Sequence, residues 1–166
     1  DTTTDLNLDI EYNYAKLLQE SLYFYDANMC GPDVSETAGL DWRGDCHTYD
    51  QTATYKGKTI DVSGGFHDAG DHVKFGLPQG YAATVLGVDY YVFKDAFDEL
   101  GQTDHYQKIM DYFCDYFVRC TVYDSSNNVE AFCYQVGEGN SDHGYWGAPE
   151  LQTTARPAYF ATSSNP

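Results

Sequence analysis

The chain has 166 residues, a formal net charge of −17, and 16 Tyr, 9 Phe and 2 Trp. A charge this negative disfavours nucleic acid and anionic membrane surfaces as partners, because their phosphates repel it. The sequence contains no run of about 18 apolar residues, so it predicts no transmembrane helix.

The beginning of the chain predicts a polar segment followed by a helix. Residues 1–9 are polar, and we expect a flexible lead-in without the basic and apolar regions of a signal peptide. Apolar side chains then recur at the spacing of one helical face, at Ile10, Tyr14, Leu17, Leu18 and Tyr25. The Gly31-Pro32 pair ends this helix.

Residues 31–78 show no helical period. A connection of this length within a compact domain is usually functional or disordered. The ordered motifs around Trp42 and the acidic residues that follow favour a functional loop. Residues 54–60 (TYKGKTI) predict a small hairpin or a loop tip.

Two further helices follow this loop. Pro78 suits the first position of the second helix, and Gly101 suits the position just past its end. Thr103 is expected to cap the third helix. Residues 129–136 then predict a short extended segment, and residues 137–149 a glycine-rich loop.

An acid pair lies in the long loop. Asp68 and Asp71 are separated by Ala69 and Gly70, and in a tight turn both carboxylates can face one spot. Such a pair could hold a base that activates water. The pattern also fits a structural Asp turn or a calcium loop, although the full calcium-loop motif is absent.

The five cysteines include no C-x-x-C pair, so neither a zinc ribbon nor a thioredoxin motif is predicted. Cys30 with Cys46, and Cys120 with Cys133, could form disulfides. Buried free thiols are an equally good interpretation. The odd count leaves at least one thiol free or paired outside this chain.

Four motifs occur in order along the chain: residues 23–27 (YFYDA), 41–45 (DWRGD), 63–78 (SGGFHDAGDHVKFGLP) and 135–140 (QVGEGN), the last followed by Asp142, His143 and Trp146. Together they resemble the motifs of glycoside hydrolase family 9, the family of many endo-β-1,4-glucanases. The resemblance implies an all-α fold, an (α/α)6 barrel of twelve helices with long functional loops.

Twelve helices with their connections need roughly 200 residues or more. We therefore expect residues 10–166 to be the N-terminal part of the catalytic module and to leave the barrel incomplete. The apolar faces of the helices would need partners from the missing C-terminal part.

The resemblance implies an inverting glycosidase, in which one carboxylate deprotonates a water and a carboxylic acid protonates the leaving oxygen. The family's base matches Asp71, and Asp68 matches the residue that holds and polarises the water. No Glu here matches the general acid, since Glu138 and Glu150 lie in other motifs. The chain is therefore expected to carry the base half of the site and to be inactive alone.

Three residues match or adjoin positions of the glucan-binding cleft: His143, Tyr145 and Trp146. Others are expected to support the acid pair: Trp42, Arg43, Asp45, His72 and Lys74. Lys74 would either lower the pKa of a nearby Asp or lie exposed. The family often binds structural calcium, but the matching ligands lie beyond this chain, so the sequence predicts no metal ligand here and no cofactor for the chemistry.

The sequence thus predicts the N-terminal part of a secreted enzyme that hydrolyses internal β-1,4-glucosidic bonds in cellulose or related β-glucans with inversion. Secretion follows from an insoluble extracellular substrate. Expected partners are that polymer, the missing part of the module, and accessory modules or a cellulase assembly. The alternatives are a non-catalytic carbohydrate-binding fragment and a calcium-binding structural domain.

Overall fold

The computed structural model describes residues 12–166, so the predicted lead-in of residues 1–9 and the start of the first helix at Ile10 lie outside the described residues. The helices are α1 (Tyr14–Asn28), α2 (Val34–Thr37), α3 (Gly76–Glu99), α4 (Thr103–Cys120) and α5 (Gly139–His143). Helices α1, α3 and α4 are the three that the sequence predicted. Their repeating apolar positions are a local signal, which is why the sequence could reveal them.

The structure corrects two predicted helix starts. Helix α3 begins at Gly76, so Pro78 is its third residue, where its missing N–H costs no hydrogen bond of the helix. Thr103 is the first residue within α4 and not its cap, and its hydroxyl donates to Asp98 of α3. Gly101 follows α3 with a φ of +65°, which confirms the predicted helix end.

The all-α class is incomplete, because the structure also has six strands: β1 (Ala53–Tyr55), β2 (Lys58–Ile60), β3 (Lys74–Phe75), β4 (Thr121–Tyr123), β5 (Val129–Val136) and β6 (Ala158–Ala161). Strands β1 and β2 form the predicted hairpin. The other four form an antiparallel sheet in which β5 pairs with β3, β4 and β6. Of these four strands only β5 was predicted, because strands of two to four residues are too short for a readable alternation.

The ring of Phe66 anchors the acid-pair loop to the helices. It is 2% exposed, and its centroid lies 4.0 Å from that of Phe113 in α4 and 5.9 Å from that of Tyr25 in α1. The neighbouring Gly65 has a φ of +75°, and a Cβ there would lie 2.7 Å from the Tyr116 ring. The loop thus approaches α4 more closely than a residue with a side chain allows.

A buried carboxylate ties α1 to α4. Asp26 is fully buried and accepts hydrogen bonds from His105, from Lys108 (2.7 Å) and from the backbone N–H of Gly39 (3.1 Å). Burial opposes its ionisation, but these donors outweigh that effect and lower the pKa of Asp26. The pair with Lys108 joins residues 82 positions apart.

One face of α3 is apolar and uncovered by the described residues. Leu77, Tyr81 and Tyr91 are 86%, 72% and 87% exposed. A run of large apolar side chains on a surface usually marks an interface. None of the helices within residues 12–166 has the length and hydropathy needed to cross a bilayer.

Candidate active site

Two loops meet at one end of the sheet. Strand β3 pairs antiparallel with the last residues of β5, so that Lys74 lies opposite Val136. The acid-pair loop that precedes β3 and the glycine-rich loop that follows β5 therefore leave the sheet side by side. They border an open cleft of about 200 Å³, whose wall is formed by Gly70, Asp71, Asp142, His143, Tyr145 and Trp146.

Asp71 lies in this wall with a nitrogen of a neighbouring residue beside each of its carboxylate oxygens. The residue is 8% exposed, and its Oδ1 accepts a hydrogen bond from the Val73 N–H at 3.0 Å. Its Oδ2 lies 3.4 Å from His143 Nε2. The carboxylate therefore has a fixed orientation at the edge of the cleft.

Asp68 is the more exposed member of the pair. Its backbone N–H donates to the Val73 carbonyl at 2.9 Å, which closes the turn that carries both acids. Partial burial and the nearby Asp71 charge raise the pKa of Asp68. The two acids therefore lie on one turn, with Asp71 buried in the cleft wall and Asp68 exposed.

Helix α5 presents His143 to Asp71. The Glu138 carboxylate caps α5 by accepting from the N–H groups of Asn140 (3.1 Å) and Ser141 (2.9 Å). His143 Nδ1 bonds the Gly139 carbonyl, so this nitrogen is the donor. Nε2 then carries a proton only in the charged imidazolium, and only that form makes an ion pair with Asp71.

The aromatic residues of the cleft differ in exposure. Trp146 is 92% exposed, whereas Tyr145 is half-buried and donates its hydroxyl proton to the Ala148 carbonyl at 3.0 Å. The Tyr145 ring also packs against His72, with centroids 5.7 Å apart. The uncovered indole of Trp146 offers an apolar face on which a pyranose ring can stack.

Lys74 does not contact the acid pair, and it is not exposed. It is fully buried, pairs with Asp50 at 2.9 Å, and donates to the carbonyls of Val62 (2.6 Å) and Gly64 (3.1 Å). Burial acts to lower the pKa of Lys74, but the Asp50 charge outweighs it and raises that pKa. Lys74 therefore stabilises the buried side of the acid-pair loop and does not neutralise the charge of Asp68 or Asp71.

Asp50, Asp142 and Arg156 complete this buried network, and the sequence analysis did not predict them as site residues. Arg156 pairs with Asp50 at 3.1 Å and with Asp142 at 3.3 Å. Asp142 also accepts from the His72 N–H at 3.2 Å, so His72 supports the loop through its backbone. These partners lie as many as 106 positions apart, and no local spacing reveals them.

The other predicted supporting residues lie away from the acid pair. Arg43 is buried and bonds Glu150 at 2.9 Å through Nε, with further bonds to backbone carbonyls next to α1. Asp45 accepts from the N–H (2.9 Å) and hydroxyl (2.7 Å) of Ser35 in α2. Trp42 is 65% exposed. None of them touches the acid pair, so they brace the neighbouring loops instead.

Four buried side chains form a thiol–imidazole cluster: Cys30, Cys46, His47 and His67. Their ligand atoms all lie within 4.8 Å of one another. Two thiols and two imidazoles around one point are the donor set of a structural zinc site. The sequence analysis expected no metal ligand in this chain and did not identify this donor set. The residues come from separate loops, and the adjacent Cys46-His47 pair was the one local signal.

The protonation of the cluster also suits a metal. Burial, together with the nearby His47 and His72, holds the pKa of His67 well below its usual range, so His67 is neutral at pH 7. A hydrogen bond from Cys30 lowers the pKa of Cys46, whereas burial raises that of Cys30. Metal ligands must be neutral imidazoles and thiolates; His67 meets the first requirement, and Cys46 is the thiol whose ionisation the cluster favours.

Neither predicted disulfide is present. All five cysteines lie within the described residues and are free thiols, four of them buried and Cys114 exposed. Cys30 and Cys46 are neighbours within the thiol–imidazole cluster, and Cys120 and Cys133 pack in the same buried cluster beside Tyr116. The predicted pairs are thus spatial neighbours, and the alternative of buried free thiols describes them.

A helical scaffold that carries a carboxylate in the wall of an aromatic-lined cleft is an arrangement that glycoside hydrolases use. Glycosyl hydrolase family 9 matches residues 14–166, and the chain belongs to this family, as its motifs predicted. The catalytic domain of Clostridium thermocellum CelT is 51% identical with a TM-score of 0.89, over 93% of this chain and 36% of that one. The cellulase Cel9M of C. cellulolyticum, solved in complex with cellobiose, is 49% identical with a TM-score of 0.81, over 93% and 34%.

Among relatives by sequence, Endoglucanase 4 of Bacillus sp. (strain KSM-522) is 39% identical over 151 residues, which are 90% of this chain and 22% of that protein. The Endoglucanase of Dictyostelium discoideum is 35% identical over 96% of this chain and 22% of that protein. The chain thus spans about a fifth of the length of these relatives.

Proposed function

We propose that the protein to which this chain belongs hydrolyses internal β-1,4-glucosidic bonds of cellulose or related β-glucans with inversion. Asp71 acts as the general base, and Asp68 helps to hold the water that it deprotonates. The observation that carries the proposal is the position of Asp71 in the wall of a cleft that also presents an uncovered Trp146.

The chemistry follows from the two carboxyl groups. The fixed Asp71 carboxylate can take a proton from a water in the cleft, while His143 and Trp146 hold the sugar. Protonation of the leaving oxygen needs an acid on the far side of the bond, roughly 6.5–9.5 Å away. We assign that acid to a part of the protein outside this chain, so the chain alone is expected to be inactive. Because the polymer is insoluble, we also place the protein outside the cell.

The test is Asp71→Asn in the full-length protein, with the exposed Asp115→Asn of α4 as the matched control. We expect Asp71→Asn to lower kcat on carboxymethylcellulose by about 10²–10⁴-fold, the usual contribution of a general base. Asp115→Asn should leave kcat unchanged. Proton NMR of the first products should show the α-anomer. Equal activity of the two variants, or a β-anomer product, would contradict the proposal.

A carbohydrate-binding role without turnover is the second candidate, and the 92% exposure of Trp146 favours it. Cellulose pull-down of the full-length protein separates the two. Binding with no reducing sugar released by the wild type would establish the binding role. Release of reducing sugar that depends on Asp71 would exclude it.

We further propose that the thiol–imidazole cluster holds a structural zinc ion. Four protein ligands leave no open position for water, so a zinc there would stabilise the loops and would contact neither the substrate nor the attacking water. Metal analysis of the full-length protein should give one zinc per chain from this site. Cys46→Ser should lose that zinc and lower Tm, whereas Cys114→Ser, at the exposed thiol, should change neither.

A further inference from the structure

A single glutamine lies between the thiol–imidazole cluster and the cleft. Gln152 is 4% exposed, and its Oε1 accepts from His47 Nε2 (2.8 Å) and His72 Nδ1 (2.9 Å). Its Nε2 donates to Asp142 Oδ1 (2.9 Å) and Thr154 Oγ1 (2.8 Å). An amide side chain offers two lone pairs and two N–H bonds, so all of its capacity is used.

Asp142 fixes the orientation of this amide. A carboxylate only accepts, so Nε2 must face Asp142, and Oε1 must face the two imidazoles. His47 then carries its proton on Nε2 and keeps a lone pair on Nδ1. That Nδ1 lies 3.3 Å from Cys30 Sγ and 3.2 Å from His67 Nε2, inside the cluster. Gln152 thus presets His47 as a ligand, as outer partners of metal-binding histidines do.

Through Asp142, the Nε2 of Gln152 is connected to two neighbours of Asp71, which are His72 and His143. Asp142 Oδ1 accepts from Gln152 and also from the N–H of His72, the residue after Asp71. Asp142 also precedes His143, whose Nε2 lies 3.4 Å from Asp71. A displacement of the amide therefore disturbs two neighbours of this carboxylate at once.

We propose that Gln152 is a positioning residue that couples the thiol–imidazole cluster to the placement of Asp71. The inference rests on the proposed function, because it takes Asp71 as the base and the cluster as a zinc site. A zinc ion in the cluster fixes the imidazole of His47, and the His47 bond fixes the amide of Gln152. The amide in turn fixes Asp142 and the loop around Asp71. Loss of zinc therefore lowers the rate of hydrolysis although the metal never meets the substrate.

The experiment uses the full-length protein with Gln152→Glu, Gln152→Met and, as a control, the exposed Gln51→Met. Gln152→Glu keeps an acceptor for both histidines but sets a carboxylate against that of Asp142. We expect it to keep one zinc per chain and to lower kcat about 10- to 100-fold with little change in KM. Gln152→Met loses all four bonds, so its zinc affinity should fall as well. Gln51→Met should match the wild type.

The coupling itself is measured by removing zinc with a zinc-selective chelator and restoring it with Zn²⁺. Wild-type kcat should fall on removal and recover on addition, whereas the already low kcat of Gln152→Met should not respond. Cys46→Ser, introduced into the wild type and into Gln152→Met, provides the same comparison without a chelator. Equal fold losses in both backgrounds, or a wild-type kcat in Gln152→Glu, would overturn the role of Gln152.

Two controls test the base assignment and the zinc site separately from the role of Gln152. An active Asp71→Asn variant would overturn the base assignment, whatever the Gln152 variants do. Wild-type protein that binds no zinc at the cluster would overturn the zinc site and the coupling together. An inactive Asp71→Asn variant, a zinc-loaded wild type and independent effects of zinc and Gln152 would overturn the coupling alone.

Discussion

The buried ion pair beneath the active-site loop makes a quantitative prediction about stability. Lys74→Met in the full-length protein removes a fully buried ammonium and keeps much of the volume of its side chain. Asp50 would retain Arg156 at 3.1 Å but lose its partner at 2.9 Å. Breaking a buried pair costs about 3–5 kcal/mol, because one charge is left uncompensated.

Two further effects act in opposite directions and leave this range unchanged. The carbonyls of Val62 and Gly64 lose their donor, at about 1 kcal/mol each, while the remaining Arg156 offsets part of the loss at Asp50. We therefore expect the free energy of unfolding to fall by about 3–5 kcal/mol. Equilibrium urea unfolding followed by tryptophan fluorescence measures it. Lys94→Met, which removes an exposed ion pair with Asp98, is the control and should have a much smaller effect.

A double-mutant cycle isolates the pair. Asp50→Asn and Lys74→Met should together cost about 0.5–3 kcal/mol less than the sum of their separate effects. Additive effects, or a loss under about 1 kcal/mol in Lys74→Met, would refute the reasoning that this buried charge pair supports the loop.

Three other outcomes are expected. Because the pKa of Asp26 is lowered in the folded state, its stabilisation is complete above the ordinary Asp pKa of 3.8 and is lost as the pH falls through the lowered value; Asp26→Asn should flatten the acid limb of a Tm-against-pH curve, and an unchanged limb would contradict this. Gly65→Ala should lower the free energy of unfolding by about 2–4 kcal/mol, because it combines a positive φ with overpacking. Gly57→Ala, at a φ of +77° with open space around it, should lower it by about 1–2 kcal/mol, and urea unfolding compares the two. Trp146→Ala should raise KM on soluble β-glucan more than it lowers kcat, and a loss confined to kcat would argue against a stacking role.

The apolar periodicity of the sequence determined the three long helices, because each helix is encoded by neighbours three and four positions apart. Gly101 marked a helix end and Gly57 the hairpin turn, because glycine adopts left-handed backbone without steric cost. The acid pair was also local: Asp68 and Asp71 share one turn, so their proximity followed from their spacing.

The tertiary structure alone decided the partners of the buried charged and polar side chains. The sequence placed Lys74 near the acid pair, but its charge turned inward to Asp50, because a buried ammonium must be paired. The bond from His47 to Gln152 spans 105 positions, and the one from Arg43 to Glu150 spans 107. Contacts over such separations leave no periodic trace in a single sequence, and they assemble only when the loops pack together.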